Sequence, residues 1–246
     1  MTKATTNDNK PKRNRMVYSR DNTRLLRGDA TCDECAVQEG TTGIADSAFA
    51  KCPRIKSVEL PAGITVIGDE AFSGCHLLAN INIPAGVVSL GCRAFRGCEA
   101  LESLALPESL VEIGDFAFKK CSSLREVRLP SVLNRISAWC FNDCVSLSSV
   151  DIPSTVTTIG YGSFCGCSAL TEIDIPASVE LVDCFAFRDC TQLRTLRIHN
   201  PNVEIGNFAF TCCSSLQEIL VPAGTLDKFR KILPPEQTDK IMEVKM

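Results

Sequence analysis

A phenylalanine recurs at every twenty-third position through most of this chain, and this spacing constrains the fold more than any other feature. The phenylalanines of this register are Phe49, Phe72, Phe95, Phe118, Phe141, Phe164, Phe187 and Phe210. A cysteine follows each of them three residues later, from Cys52 to Cys213. A fixed period of this length is the signature of a solenoid, whose units stack because one unit cannot bury its apolar face alone.

Each unit also carries a short alternating apolar segment, a proline and an Ile-Gly pair. In one unit, Leu147, Val150 and Ile152 predict a short strand that Pro153 ends. The Ile-Gly pair predicts a turn, and the Phe-x-x-Cys segment after it is too short for more than one helical or 3₁₀ turn. Strands stacked about 4.8 Å apart would give eight such coils a length of about 40 Å.

The repeats divide the chain into four segments. Residues 1–15 hold five basic residues against one acidic residue and no apolar stretch, which predicts a flexible basic tail rather than a signal peptide. Residues 16–43 match the repeat poorly and predict a degenerate N-terminal cap repeat. Residues 44–224 are the predicted solenoid, and residues 225–246 are a predicted helical C-terminal cap that seals the open end of the core.

The repeat resembles the BspA-like class of leucine-rich repeats, which has the same 23-residue period. The resemblance covers residues 44–221 and rests on the unit Ile-Gly-x-x-Ala-Phe-x-x-Cys-x-x-Leu-x-x-Val-x-Ile-Pro. It implies an α/β repeat fold: a leucine-rich repeat solenoid of about eight 23-residue coils, with a concave parallel sheet and short helical or 3₁₀ turns on the other side. The better-known members of that class are bacterial surface proteins that bind host matrix proteins.

Fifteen cysteines are the one unusual feature of the composition. Cys32 and Cys35 form a C-x-x-C pair, but no second pair follows, and both align with inward strand positions of the cap repeat. We therefore expect no zinc or redox site there. We expect the column from Cys52 to Cys213 to be free thiols that fill the corner of each coil, because cysteine packs as a small apolar residue.

Catalysis is not expected from this sequence. Neither of its two histidines, His76 and His199, has the spacing of a catalytic triad or a metal site, and no glycine-rich phosphate loop is present. The net charge of −3 does not favour a general nucleic-acid binder, and no apolar run is long enough to span a membrane. We expect a protein without cofactor or metal that binds another protein, as a monomer or with weak self-association.

The outward strand positions of neighbouring coils form the first candidate surface, on the concave strand face. A repeated strand presents a rigid grid of side chains, which suits protein recognition. The charged residues of this candidate site are Arg125, Arg128, Asp151, Glu172, Asp174, Arg194 and Arg197. The alternative is that Arg128 with Asp151, and Asp174 with Arg197, are neighbouring-strand pairs that contribute little beyond solubility.

The column two residues before each repeat phenylalanine is a second candidate surface. Its aromatic members are Phe116, Trp139, Phe185 and Phe208, with Gly162 between the second and third. Such a column either forms an exposed ridge for a partner or packs over neighbouring turns on the convex side. We expect the packed arrangement.

Three functions are compatible with these features. The first is a cytoplasmic scaffold or adaptor, since the chain starts without a signal peptide and reducing compartments keep thiols free. The second is a cell-surface or secreted adhesin, as the resemblance implies. The third is a structural protein that self-associates through the aromatic column.

Overall fold

The structure, a computed structural model, describes residues 16–245. The predicted basic tail at residues 1–15 lies outside the described residues. From residue 16 to residue 245, the chain winds through strands that belong to two separate columns, and each strand pairs with a strand one coil away. This is the leucine-rich repeat solenoid that the sequence predicts.

The first column consists mostly of two-residue strands that end on the isoleucine of the Ile-Gly pair. Its members are β1 (Val17–Tyr18), β2 (Arg24–Arg27), β4 (Gly43–Ile44), β6 (Val66–Ile67), β8 (Ser89–Leu90), β10 (Glu112–Ile113), β12 (Arg135–Ile136), β14 (Thr158–Ile159), β16 (Leu181–Val182) and β18 (Glu204–Ile205). The sequence predicts only a turn here, so this column is a finding of the structure. Ile159 is buried while Thr158 is partly exposed, because successive strand side chains point to opposite faces.

The second column contains the longer strands that the sequence predicts. Its members are β3 (Glu34–Ala36), β5 (Ser57–Glu59), β7 (Asn80–Ile81), β9 (Ser103–Ala105), β11 (Glu126–Arg128), β13 (Ser149–Asp151), β15 (Glu172–Ile175), β17 (Thr195–Ile198), β19 (Glu218–Pro222) and β20 (Ile241–Val244). Its strands pair in parallel, and residues one repeat apart face each other, as Val127 faces Leu104 and Val150. Two strands exceed the predicted eight coils, because β3 and β20 extend the column at its two ends.

The turns between the columns are also joined from coil to coil. The N–H of Cys121 donates to the carbonyl oxygen of Phe118 at 3.1 Å, which is the hydrogen bond of a 3₁₀ turn. The N–H of Phe118 donates to the carbonyl oxygen of Cys140 in the next coil at 2.9 Å. Because this pattern recurs along the repeats, backbone groups on the turn side are satisfied by turn and ladder bonds together.

The eight repeat phenylalanines form one stack inside the solenoid. Each ring is fully buried. Successive ring centroids lie between 5.0 Å, for Phe49 and Phe72, and 5.6 Å, for Phe95 and Phe118, and the rings are nearly parallel. The stack is continuous with the buried leucine and isoleucine columns, so the solenoid has a single core along its length.

Non-repeat segments cover both ends of that core. At the start, β1 and β2 form the one antiparallel pair among the pairings of residues 16–245. At the end, α1 (Leu226–Ile232) buries Phe229, and the 3₁₀ helix Pro235–Lys240 leads into β20, which pairs with β19. These elements shield the terminal coils from water, as the ends of a solenoid require.

The phenylalanine stack predicts a large difference between two phenylalanines of this chain. Phe118→Ala is expected to lower the free energy of unfolding by about 3–5 kcal/mol, because it removes a fully buried ring with a ring on each side. Phe208→Ala is the matched control, since Phe208 is 59% exposed, and it is expected to cost about 1 kcal/mol or less. Urea unfolding measures both, and equal losses would contradict the proposed role of the stack.

Candidate interaction surfaces

The strand face, defined here as the outward side of the second strand column and the residue before each strand, holds the charged residues of the first candidate site. Alternation along each strand places Val127 and Val150 inside, while Glu126, Arg128 and Asp151 are exposed. An open cavity of about 430 Å³ lies over β9, β11 and β13 and includes these exposed side chains in its walls. Arg128 and Asp151 therefore border one shared depression.

The strand face has fewer charged side chains toward the start of the chain. A second open cavity of about 510 Å³ covers β5, β7 and β9. Its outward side chains are mostly small or amide groups, such as Ser57, Asn80, Asn82 and Ser103. Glu59 is the one charged residue of that lining, whereas the residues of the first candidate site lie along the face from β11 to β17.

The ion pairs on this face differ from the predicted neighbouring-strand pairs. Arg128 lies opposite Asp151 in register, and Asp174 lies opposite Arg197. However, the Nη2 of Arg128 approaches Oε1 of Glu108 at 3.7 Å, and no ion pair joins it to Asp151 in the described structure. The arginine side chain turns toward the preceding coil, where Glu108 follows β9, and not toward Asp151 on the next strand, which register alone does not reveal.

The second predicted pair is rearranged in a similar way. Arg197 Nη1 lies 3.3 Å from Oε2 of Glu172, which is the carboxylate two residues before Asp174 on the neighbouring strand. Asp174 Oδ1 instead contacts Nε2 of His199 at 2.7 Å. His199 was not predicted from the sequence to be part of this surface. The sequence does mark this position, because His199 replaces the proline that ends most strands of this column.

Two carboxylates that line the depression, Glu126 and Asp151, form no ion pair within the described residues. Arg125 Nε lies 3.9 Å from Oε2 of Glu102, and Glu108 accepts hydrogen bonds from both the N–H and the hydroxyl of Ser131. The Ser131 bonds, more than the nearby Arg128, lower the pKa of Glu108. Asp151 takes part in none of the ion pairs found in residues 16–245, and neither does Arg194.

The aromatic column forms a ladder on the turn side of the solenoid. Phe116 stacks on Trp139 with centroids 6.3 Å apart, and Phe185 stacks on Phe208 at 5.4 Å. Tyr161 joins the two halves, because its ring lies 5.2 Å from Trp139 and 5.3 Å from Phe185. Tyr161 was not predicted as a member, since it stands one position before the column, beside Gly162.

Gly162 makes room for the indole ring of the ladder. A Cβ atom at this position would lie 2.6 Å from Cε3 of Trp139, a distance that packed atoms do not adopt. Lys119 Nζ lies 5.4 Å from the centroid of the Trp139 ring and 5.6 Å from that of Phe116. The stacked ring of Phe116 and the ammonium group of Lys119 thus cover Trp139 at the first end of the ladder.

The other end of the ladder is open. Phe208 is 59% exposed, although Phe116, Trp139 and Phe185 are half-buried. A groove of about 310 Å³ runs beside Phe208 and is bordered by Ile232 and Pro234 of the C-terminal segment. The ladder therefore offers one apolar surface patch rather than an exposed ridge along its length.

The cysteine column is inert by burial, as predicted. Its thiols are free and buried, and each from Cys75 onward donates to a phenylalanine carbonyl of the preceding coil. For Cys75 the Sγ to Phe49 oxygen distance is 3.0 Å. Burial raises the pKa of Cys75 and of Cys213 to about 12, so nearly all of each thiol is protonated at neutral pH.

The C-x-x-C pair departs from its prediction. Cys35 is buried on β3, as expected. Cys32, however, precedes this strand and forms a disulfide with Cys35. The thiol of neither cysteine is thus free to bind a metal. Within residues 16–245, no cluster of three or more His, Cys, Asp or Glu side chains is placed to hold a metal ion, and no helix is long and apolar enough to cross a membrane.

The raised thiol pKa values predict a loss of stability at alkaline pH. The pKa of the Cys75 thiol is 9.0 in the unfolded chain and about 12 in the folded protein. Its contribution to the free energy of unfolding is therefore complete below pH 9 and is lost as the pH rises toward 12. The expected slope is about 1.4 kcal/mol per pH unit for each such thiol. Urea unfolding across this range should show a smaller slope in Cys75→Ala than in the wild type, and an unchanged slope would contradict the assignment.

The single tryptophan allows a direct test of the ladder. Gly162→Ala is expected to displace the Trp139 ring, because the added Cβ would overlap it, and so to shift tryptophan emission to longer wavelength and increase quenching by acrylamide. Gly40→Ala is the matched control, since Gly40 also has a positive φ but a Cβ there meets no atom within 4 Å. Identical spectra for the two variants would show that Trp139 does not pack on Gly162.

Comparison with known proteins agrees with this architecture. A profile of BspA-type leucine-rich repeat regions matches six copies, over residues 42–171 and 134–232. No curated protein matches the chain. Among solved structures, the T. pallidum leucine-rich repeat protein TpLRR has a TM-score of 0.66 at 26% identity, covering 95% of this chain and 97% of that one.

A second solved structure supports the fold alone. A leucine-rich repeat protein from Bacteroides ovatus has a TM-score of 0.65 at 24% identity, covering 94% of this chain and 67% of its own. The resemblance identified from the repeat unit is therefore confirmed. Since the profile match extends from residue 42 to residue 232, the chain belongs to the BspA-type leucine-rich repeat family, whose members are generally protein-interaction modules.

Proposed function

We propose that this protein is a non-catalytic interaction module whose strand face, between β11 and β17, binds a protein partner. The observation that carries this proposal is the unpaired Asp151, which borders the depression over β9, β11 and β13. Basic residues lie on either side of Asp151. On one side, Arg128 is the last residue of β11 and Arg125 directly precedes this strand. Arg194, which also lacks an ion pair, precedes β17.

The charge pattern specifies the chemistry of the partner. Asp151 is followed on the next strand by Glu172 and Asp174, so the centre of the face is acidic and its two ends are basic. A partner that places a basic side chain near Asp151 and acidic groups beside Arg128 and Arg194 would match this pattern. Such matching contributes more to specificity and association rate than to affinity.

A cytoplasmic scaffold or adaptor is the favoured role. Thirteen cysteines are free, and most of them are buried, which suits a reducing compartment. The Cys32–Cys35 disulfide is the observation that favours the alternative, an adhesin at the cell surface or outside the cell. The exposed Phe208 beside its apolar groove favours weak self-association as a third role.

Capture experiments with charge-reversed variants test the strand face. Asp151→Lys combined with Arg194→Glu breaks no ion pair of the described residues, so this variant is expected to fold normally. Binding of a captured partner should weaken by about tenfold or more, because the variant loses the contacts of Asp151 and Arg194 and places a like charge opposite the partner at both positions. The readout is mass spectrometry of proteins retained from native extract, followed by a titration with the purified partner.

The control carries the same two charge reversals away from the strand face. Asp239→Lys combined with Lys231→Glu changes two exposed residues of the C-terminal segment and leaves the net charge as in the first variant. It is expected to bind like the wild type. A partner held equally by both variants would remove the strand face from consideration and leave the Phe208 patch to be tested.

A further inference from the structure

A basic groove lies on the turn side of the first coils, away from the strand face. It is an open cavity of about 550 Å³ that crosses four consecutive coils. Its walls include Lys51, His76, Arg96 and Lys120, and its floor includes Gly74 and Gly97. None of these residues belongs to the strand face or to the aromatic ladder.

The three cations of this groove form no ion pair within the described residues. Lys51, Arg96 and Lys120 are exposed and form no ion pair with any residue in 16–245. The one acidic residue of the lining, Glu99, already contacts Nδ1 of His76 at 3.1 Å. The groove lining thus carries three positive charges against the single carboxylate of Glu99, and none of the three cations forms an ion pair with it.

This concentration is local, because the chain as a whole carries a net charge of −3. The coils that follow reverse the sign at the position of Lys51 and Lys120, where they place Asp143 and Asp189. Asp189 is paired with Arg188 at 3.3 Å. The basic groove is thus confined to the first four coils and is not a property of the repeat itself.

The glycine floor is not required by the backbone. Gly74 and Gly97 have φ values of +74° and +72°, which favour glycine. However, the equivalent residues of other coils, such as Lys120 at +62° and Asp143 at +59°, adopt the same conformation with a side chain. A Cβ at Gly97 would meet no atom closer than 3.8 Å. The glycines therefore leave free space between the two lysines.

The dimensions suit an extended chain. Lys51 and Lys120 are three coils apart, which corresponds to about 14 Å at the spacing of stacked strands. An extended peptide covers this distance in about four or five residues. Its backbone can lie in the space beside the two glycines while acidic side chains reach the cations at both ends and Arg96 between them.

We propose that the basic groove binds an extended acidic segment, rich in aspartate or glutamate, of a protein partner. Nucleic acid fits less well, because the nearby rings of Phe116 and Trp139 are stacked together under Lys119 and the groove lining offers no aromatic ring for a base. The net negative charge of the chain also opposes a long polyanion. Because single exposed ion pairs are weak, binding requires the three cations together and is sensitive to salt.

Fluorescence anisotropy with a labelled peptide of alternating glutamate and glycine tests this proposal on the full chain. The wild type is expected to bind the peptide, with affinity falling as salt is added. Lys51→Gln, Arg96→Gln and Lys120→Gln together are expected to weaken binding by about tenfold or more. The matched control, Arg20→Gln with Arg135→Gln and Lys231→Gln, removes three exposed cations elsewhere and is expected to bind like the wild type.

A second variant tests the floor without changing charge. Gly97→Asn is expected to fold, because asparagine tolerates a positive φ, and to weaken peptide binding several-fold by filling the free space. Circular dichroism verifies folding of each variant. The strand-face variant of Asp151 and Arg194 should bind the peptide like the wild type. The proposals for the strand face and for the basic groove can therefore be refuted independently of each other.

Several outcomes would overturn the proposal. These are no binding of the peptide by the wild type, equal weakening in the matched control, or unchanged binding after loss of the three cations. Tighter binding of a single-stranded oligonucleotide of equal charge, lost in the same triple variant, would assign the groove to nucleic acid instead.

Discussion

The buried stack of eight phenylalanines is the interaction on which the rest of this structure depends. Each ring has a ring from the next coil at 5.0 to 5.6 Å, and this contact exists only when every coil has the same length. A coil one residue longer or shorter would move its phenylalanine out of the stack and break the ladder bonds beside it. The constant register of the strands, the thiols and the exposed columns follows from this requirement.

Function in such a molecule is carried by positions that the stack leaves free to vary. The interior repeats the same residues, whereas the outward strand positions change from Arg128 to Asp151 to Asp174 in successive coils. The turn side changes as well, from the lysines of the first coils to the aromatic ladder farther along. One rigid body thus presents chemically different surfaces on its strand side and its turn side, as an interaction module requires.

The periodic features of the fold were predictable, because one repeat explains all of them. The phenylalanine stack, the free thiol column and the longer strands follow from apolar spacing alone. The first strand column was missed because two residues are too few to show alternation. The ion pairs of Arg128 and Arg197 were missed because long side chains select partners by reach as well as by register. Tyr161 was missed because it stands one position before the aromatic column. The basic groove was missed because its three cations are spread over four coils and two adjacent columns of the repeat.

The sequence by itself determined the solenoid, its 23-residue coil and the identity of the buried columns, since these depend on which residues recur and at what interval. Only the tertiary structure decided which exposed side chains meet. Residues such as Lys51 and Lys120 are far apart along the chain and line one groove because their coils and the two coils between them stack at a fixed spacing. The physical reason is that burial follows from local pattern, whereas surface charge and shape arise from contacts between coils whose side chains vary independently.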